Sequence, residues 1–174
     1  MRLVRVHSPE HVAAAAALAA EYGEWAVRVA KSEYGIDAEA ESERGLSTSI
    51  DELLGPRGRL YLAIELGVPV GIGGLKPISS EVAEIKRMYV RPSARGSGVG
   101  RALLGQLLDD ARQLGFDVVR LESAAFMTEA HTLYRRFGFA EVPPYEGREF
   151  ETIPGAEEIQ VFMELALAAV SASP

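Results

Sequence analysis

Cysteine is absent from the 174-residue chain. Its absence excludes disulfides, cysteine-bound zinc and thiol nucleophiles, and it is typical of a reducing compartment, so we expect a cytoplasmic location. The chain has three histidines. His7 and His11 lie on either side of a predicted helix start, and neither has a partner at the spacing of a zinc site. No metal is therefore predicted.

Long apolar runs and a positive net charge are also lacking. The sequence has 18 Lys and Arg against 25 Asp and Glu, a net charge of −7, which disfavours binding to nucleic acid through bulk charge. No segment approaches the roughly 20 apolar residues of a membrane span. The run Val12 to Ala20 follows Ser8-Pro9-Glu10, a helix start, so we interpret it as a helix rather than a signal peptide.

The length and periodicity indicate one α/β domain over residues 1–174. Helices are predicted from residue 8 towards 31, with Gly23 as a candidate break, then at 99–114 and 130–137. Residues 49–54 have helical spacing, and alternate acids at 37–43 favour a solvated face over a site for a cationic acceptor. Strands are predicted at 3–6, 59–66, 70–75, 84–90, 117–122, 139–142 and 159–165. This order predicts a mixed sheet with helices on both faces.

A glycine-rich loop connects the strand at 84–90 to the following helix. Gly96, Gly98 and Gly100 alternate there, which lets backbone amides approach a ligand, and the helix start adds unpaired N–H groups. Residues 84–101 hold five basic residues against Glu84 alone, a sum of +4 in a chain of −7. The pattern predicts a phosphate site, although an ordinary strand-to-helix turn is the alternative.

Two known phosphate motifs do not fit this loop. A dinucleotide fingerprint starting at Gly96 would need glycine at the position of Arg101, and no Gly-Lys-Ser or Gly-Lys-Thr of a Walker loop occurs. The loop instead has the form R-x-x-G-x-G, met by Arg95, Gly98 and Gly100. Downstream, Ala130-His-Thr-Leu-Tyr134 is followed by Gly138-Phe139.

Both motifs, in this order, resemble the GNAT (Gcn5-related) N-acetyltransferase superfamily. The first is similar to its coenzyme A pyrophosphate loop and the second to its A-x-x-L-Y-x-x-x-G-F helix. The resemblance implies the GNAT acyl-CoA N-acyltransferase fold, with a mostly antiparallel sheet of about seven strands flanked by helices on both faces. It also implies acetyl-CoA as cosubstrate and no metal. Many members have an asparagine at the position of Met127, and that asparagine normally hydrogen-bonds the cofactor.

The resemblance also implies roles for single residues. Glu84 matches a glutamate base, with Glu122 in reserve, and Tyr134 matches the general acid; a phenol with a pKa near 10 is protonated at neutral pH. A strand bulge would turn the Met88 amide to the thioester carbonyl, and the Val90 amide would meet the pantetheine arm. The alternatives are a solvated strand-end acid at Glu84 and a plain core tyrosine at Tyr134. The predicted cofactor-binding residues are Met88, Tyr89, Val90, Arg95, Gly96, Ser97, Gly98, Val99, Gly100 and Arg101.

The predicted activity is transfer of an acetyl group from acetyl-CoA to a primary amine of a small molecule or peptide, by direct attack in a ternary complex. Neither nucleic acid nor membrane is an expected partner, and a homodimer is compatible with the resemblance. Two alternatives remain: a non-catalytic acyl-CoA-binding sensor, and a protein that uses the loop for another nucleotide diphosphate.

Overall fold

The central sheet positions every other element. A computed structural model describes residues 1–38, 50–145 and 155–167, and seven strands there form one sheet in the order β1-β2-β3-β4-β5-β7-β6. The strands are β1 (Arg2–Arg5), β2 (Arg59–Glu65), β3 (Val68–Pro77), β4 (Val82–Val90), β5 (Val118–Ala124), β6 (Ala140–Glu141) and β7 (Gln160–Ala166). Only β4 and β5 are parallel neighbours. The predicted mixed, mostly antiparallel sheet is confirmed.

Helices cover both faces of this sheet, as predicted. They are α1 (Pro9–Tyr34), α2 (Val99–Gln113) and α3 (Thr128–Arg136). One core cluster joins Leu18 of α1 to Leu62 and Ile72 of the sheet. The cluster on the opposite face joins α2 and α3 to the sheet, through side chains that include Leu107 and Tyr134. Residues 50–54 add a helical turn on the α1 face, where Leu53 is buried.

The first helix begins as the sequence predicts and runs longer than expected. The Ser8 hydroxyl accepts from the His11 amide at 3.3 Å, Pro9 occupies the first position, and Gly35 ends the helix with a φ of +70°. Gly23 does not break it: the helix is continuous and Gly23 is buried. A helical glycine costs only about 1 kcal/mol, which the packing of a 26-residue helix offsets.

The hairpin between β2 and β3 turns earlier than predicted. The strands predicted at 59–66 and 70–75 place the turn at residues 67–69, whereas Glu65 already pairs with Val68. The turn residues are Leu66 and Gly67, with φ of +49° and +83°. Two positive φ values give the twist that a two-residue hairpin loop needs, and β3 therefore begins two residues before the predicted 70.

Parts of the predicted acidic run and late loop lie outside the described residues. Of the alternate acids at 37–43, the structure describes Asp37, whose exposed carboxylate lies 3.5 Å from Lys31. Residues 39–49, 146–154 and 168–174 are not described. None of the helices in the described ranges is long and apolar enough to span a bilayer.

Candidate active site

A cavity opens where β4 and β5 separate. The two parallel strands pair only from Val82 to Ile85 and from Val118 to Leu121, yet both continue beyond the last pair. The space between them is lined by strand residues, by one face of α1 and by Tyr134 of α3. A ligand entering there would meet open strand edges, which is where backbone groups are free to bond.

A bulge in β4 reverses which side chains face the α2 side of the sheet. Ile72 of β3 pairs with Tyr89 and Gly74 with Lys86, so β4 holds one extra residue between them. Arg87 is in the left-handed region, with a φ of +57°. Beyond it, Met88 packs against the same α2-side core cluster as Ile85, three positions away. The bulge that the resemblance predicts is present, and it lies next to Met88.

The glycine-rich loop presents a row of free backbone amides. Within the described part of the chain, no amide of residues 96–101 meets a backbone acceptor in hydrogen-bonding geometry. Gly96 and Gly98 have φ of +77° and +91°, and a Cβ on either would meet open space. Gly98 caps α2, whose first turn has no acidic residue. Unpaired amides at a helix start bind anions, so this loop can hold a diphosphate.

The basic residues near the loop divide into two groups. Arg91 is bound by Glu21, 2.9 Å away, and donates to the Pro69 carbonyl. Arg95 and Arg101 are exposed. Arg95 donates to the Val90 carbonyl at 3.1 Å, and its guanidinium lies 5.7 Å from the Trp25 ring centroid. The basic residues available to a phosphate at the loop are therefore Arg95 and Arg101. They carry less positive charge than the sum over residues 84–101 indicates.

Of the remaining two basic residues of that segment, Arg87 is buried and Lys86 is partly buried. Lys86 and Arg87 line the cavity between the strands. The Lys86 ammonium lies 2.9 Å from the Glu84 carboxylate, with the two side chains 11% and 4% exposed. These cations belong to the cavity and not to the loop.

Tyr89 and its neighbours fix the strand end beside α1. The Tyr89 hydroxyl donates to Glu21 at 2.8 Å, and burial together with this carboxylate raises the pKa of Tyr89 to about 12. Burial acts to raise the pKa of Glu21, yet the hydrogen bonds from Tyr89 and Arg91 leave it below its ordinary value. Because the Tyr89 side chain is engaged with α1, any bond from this residue to a cofactor must come from its backbone.

Tyr134 is both a core residue and part of the cavity wall. Its side chain is 5% exposed and packs on Phe139, with ring centroids 5.8 Å apart. It also lines the cavity. Burial, with a smaller effect from Tyr22, raises the pKa of Tyr134 above its ordinary value. The phenol therefore remains a proton donor throughout the neutral range, as a general acid requires.

The two candidate bases occupy different positions. Glu84 is only 3% exposed, so the alternative of a solvated acid at the strand end is wrong. The cavity lining includes Lys86, its ion-pair partner, but not Glu84 itself. Glu122 does line the cavity and accepts from the Gln160 side chain at 3.0 Å. The structure thus brings Tyr134 and Glu122 to one cavity and leaves Glu84 outside its lining, in an ion pair with Lys86.

Sequence reasoning missed two polar groups near this cavity. Met127 accepts weakly through its sulfur from the hydroxyls of Tyr22 and Ser123, at 3.6 and 3.5 Å, and Ser123 also bonds His131 at 3.0 Å. The only sign of this polar group in the sequence was the methionine at position 127, where many family members have asparagine.

The second group lies on the α1 face of β5. The Arg120 guanidinium lies 3.8 Å from the Tyr145 ring centroid. Its Nε is buried without a hydrogen-bond partner among the described residues, and the Tyr145 hydroxyl lies beside the Glu84 carboxylate. Alternation in the strand Val119-Arg120-Leu121 could have revealed that Arg120 points away from the α2 and α3 side. Among the described residues no group of three His, Asp or Glu is placed to hold a metal.

Comparison with known proteins agrees with this geometry. A sequence profile of the acetyltransferase (GNAT) family matches residues 18–139. An uncharacterized N-acetyltransferase of Escherichia coli is 32% identical over 126 residues, which cover 67% of this chain and 73% of the relative. The IAA acetyltransferase of Azospirillum brasilense is 34% identical over 120 residues, covering 68% and 74%.

Solved structures share the fold. An acetyltransferase from Streptococcus agalactiae superimposes with a TM-score of 0.72 at 17% identity, covering 95% of this chain and 98% of the other. A putative acetyltransferase from Salmonella typhimurium, solved with acetyl-CoA, gives 0.62 at 23% identity and covers 100% and 99%.

The chain therefore belongs to the GNAT family of acetyltransferases. It is an acyl-CoA-dependent N-acetyltransferase, and its cosubstrate is acetyl-CoA. The unpaired amides of the loop and the cavity that reaches Tyr134 fit this cosubstrate. The family, fold, enzyme class and cosubstrate predicted from the sequence are confirmed.

Proposed function

We propose that the protein acetylates a primary amine of a small molecule or peptide by direct attack within a ternary complex. The observation that carries this proposal is a single cavity that holds Tyr134, Glu122 and the open edge of β4. A donor and a carboxylate around one space are what acyl transfer to an amine requires. Acetyl-CoA supplies the activated acetyl thioester.

The cofactor-binding roles are proposed for the backbone. The amides of residues 96–101, with Arg95 and Arg101, would hold the diphosphate, because they are unpaired and the two side chains are exposed. The backbone of Met88, Tyr89 and Val90 would hold the pantetheine arm and the carbonyl group. Support comes from the bulge beside Met88 and from the edge of β4 that no longer pairs with β5 beyond Ile85.

Two side chains would move the protons. The Tyr134 phenol would donate to the departing sulfur, since its raised pKa keeps it protonated. Glu84 would receive the proton of the substrate ammonium through water, because its carboxylate lies 2.9 Å from the ammonium of Lys86, which lines the cavity. Glu122 is the second candidate base, favoured by its place in the cavity wall.

A cytoplasmic location and a homodimer also remain proposals. The lack of cysteine supports the first, and the second rests on what the resemblance to the superfamily implies.

Thiol release from acetyl-CoA against a panel of primary amines tests the activity. We expect coenzyme A release above the amine-free rate and a product heavier by one acetyl group. Binding of acetyl-CoA with no amine-dependent release would support a non-catalytic sensor instead. Separate calorimetric titrations with ATP and with acetyl-CoA test whether the loop binds nucleotides in general. Binding of acetyl-CoA alone would exclude general nucleotide binding.

The base is identified by matched carboxamide variants. If Glu84 is the base, Glu84→Gln lowers kcat by roughly 10²-fold or more and removes the acidic limb of the pH profile. Glu122→Gln then keeps the wild-type kcat and the acidic limb. The double variant Glu84→Gln/Lys86→Gln separates loss of the base from disruption of the ion pair, because it removes both charges together. Loss in Glu122→Gln alone would assign the base to Glu122.

A further inference from the structure

A pair of charged residues lies beside the cavity, on the face of the sheet that carries α1. In the parallel ladder, Glu84 of β4 is the register partner of Arg120 of β5. Their neighbours Ile85 and Leu121 pack into the core cluster on the opposite face. Because successive side chains of a strand point to opposite faces, Glu84 and Arg120 share the α1 face.

Tyr145, from the segment that follows β6, is held on this face by two contacts. The Arg120 guanidinium lies over its ring, 3.8 Å from the centroid, and the Phe162 ring of β7 meets it edge-on at 5.1 Å. A cation over the ring face and an aromatic ring at an angle are both favourable arrangements. Because the hydroxyl is at the end of a rigid ring, these contacts also fix where the hydroxyl points.

The hydroxyl of Tyr145 is directed to the candidate base. It is buried and lies beside the Glu84 carboxylate. Burial, together with this carboxylate, raises the pKa of Tyr145 above its ordinary value, so the phenol keeps a proton to donate throughout the neutral range.

The Glu84 carboxylate can accept this bond and still act as a base. It lies 2.9 Å from the Lys86 ammonium, and a carboxylate has about four lone-pair positions. Two of these positions can face Lys86 and Tyr145 while others receive a proton. The Lys86 ammonium is at the end of a flexible four-carbon stem, so the ring-borne hydroxyl is the more rigid of the two partners.

We propose that Tyr145 is a positioning residue for Glu84: its hydroxyl, fixed by the two contacts of the ring, donates to the carboxylate and sets its orientation. This inference rests on the proposed acetyl transfer with Glu84 as the base. Proton transfer depends on alignment, and a displacement of about 1 Å can cost roughly 10²-fold in rate. The aromatic contacts of Tyr145 thus serve the chemistry from outside the described cavity lining.

Tyr145→Phe tests this role because it removes the hydroxyl and keeps the ring. Coenzyme A release is measured with hexylamine, spermidine, lysine and tryptamine, and the amine that gives the fastest release is used for every variant. We expect kcat to fall by about tenfold or more, as for the loss of a hydrogen bond to a charged group. The KM values for acetyl-CoA and for the amine should stay unchanged, because Tyr145 is not part of the described lining.

A double-mutant cycle shows whether Tyr145 acts through Glu84. In the Glu84→Gln background, Tyr145→Phe should change kcat by less than about twofold, because the carboxylate that the hydroxyl orients is gone. In the Glu122→Gln background, the same substitution should still lower kcat by about tenfold.

Tyr61→Phe is the matched control. The Tyr61 hydroxyl donates to the buried Asp110 carboxylate at 2.7 Å, a bond of the same kind on the α2 face of the sheet. Neither residue belongs to the described cavity lining, so Tyr61→Phe should keep the wild-type kcat. Melting temperatures of all variants show that each remains folded.

The outcomes separate this inference from the proposed function. Release of coenzyme A at the same rate with and without every amine overturns acetyl transfer and, with it, the role of Tyr145. Amine-dependent release with an unchanged kcat in Tyr145→Phe leaves acetyl transfer standing and overturns the positioning role. A tenfold loss that persists in the Glu84→Gln background, or that Tyr61→Phe reproduces, also overturns it.

Discussion

Replacing Gly98 by alanine separates the role of the loop in binding from its role in folding. Gly98 adopts a φ of +91° at the start of α2, and Gly115 adopts +75° just beyond the end of the same helix. A Cβ at either position meets open space, so the cost in both variants is backbone strain alone. That cost is about 1–2 kcal/mol for an L-residue in this region.

Both variants should therefore lose similar stability. For a domain of this length, melting temperatures are expected to fall by roughly 2–8 °C. Only Gly98→Ala should weaken acetyl-CoA binding, because relief of its strain moves amides that we assign to the diphosphate. Loss of one hydrogen bond to a charged group costs about 1.5–3 kcal/mol, so the Kd rises by about tenfold or more.

Calorimetric titration of acetyl-CoA into wild type, Gly98→Ala and Gly115→Ala measures this difference. If Gly98→Ala binds as tightly as Gly115→Ala while both are equally destabilised, the loop amides do not hold the diphosphate and the reasoning fails.

Three further predictions follow from single contacts. Tyr134→Phe should lower kcat by roughly 10²-fold or more and leave the Kd for acetyl-CoA unchanged. Steady-state kinetics measure the first and calorimetry the second, and an unaltered kcat would assign the proton donor to another residue. Burial lowers the pKa of His131. The neutral imidazole therefore contributes fully to stability above about pH 6.5, and this contribution is lost as the pH falls below that value. Melting temperatures across this range should fall less steeply in His131→Asn than in wild type, and parallel curves would contradict this. A Cβ at Gly74 would lie 2.7 Å from the buried Leu53 side chain, so Gly74→Ala should cost about 1–3 kcal/mol in urea unfolding, and a neutral result would show that Leu53 can move away.

Local chemistry made much of the fold predictable. The Ser8 cap and the glycine-rich loop depend on residues adjacent in sequence, and the structure places both as expected. The candidate break at Gly23 is wrong because tertiary packing, and not glycine propensity, decides whether that helix continues.

The candidate site was less predictable because it depends on long-range placement. Strand periodicity cannot show that Glu84 is buried against Lys86, since both lie at positions where an exposed edge is equally consistent with the sequence. The bulge at Arg87 changes the facing of all later β4 residues. Glu122 enters the cavity only because β5 separates from β4 beyond Leu121, a feature that no local pattern encodes.

Amide chemical shifts during titration with coenzyme A test the central claim most directly. Hydrogen bonding to a diphosphate should move the amide proton resonances of Gly96, Ser97 and Gly98 more than those of the α2 residues beyond Arg101, with one common saturation curve. If coenzyme A saturates the protein while these three resonances remain unchanged, the diphosphate is bound elsewhere and the assigned site is wrong.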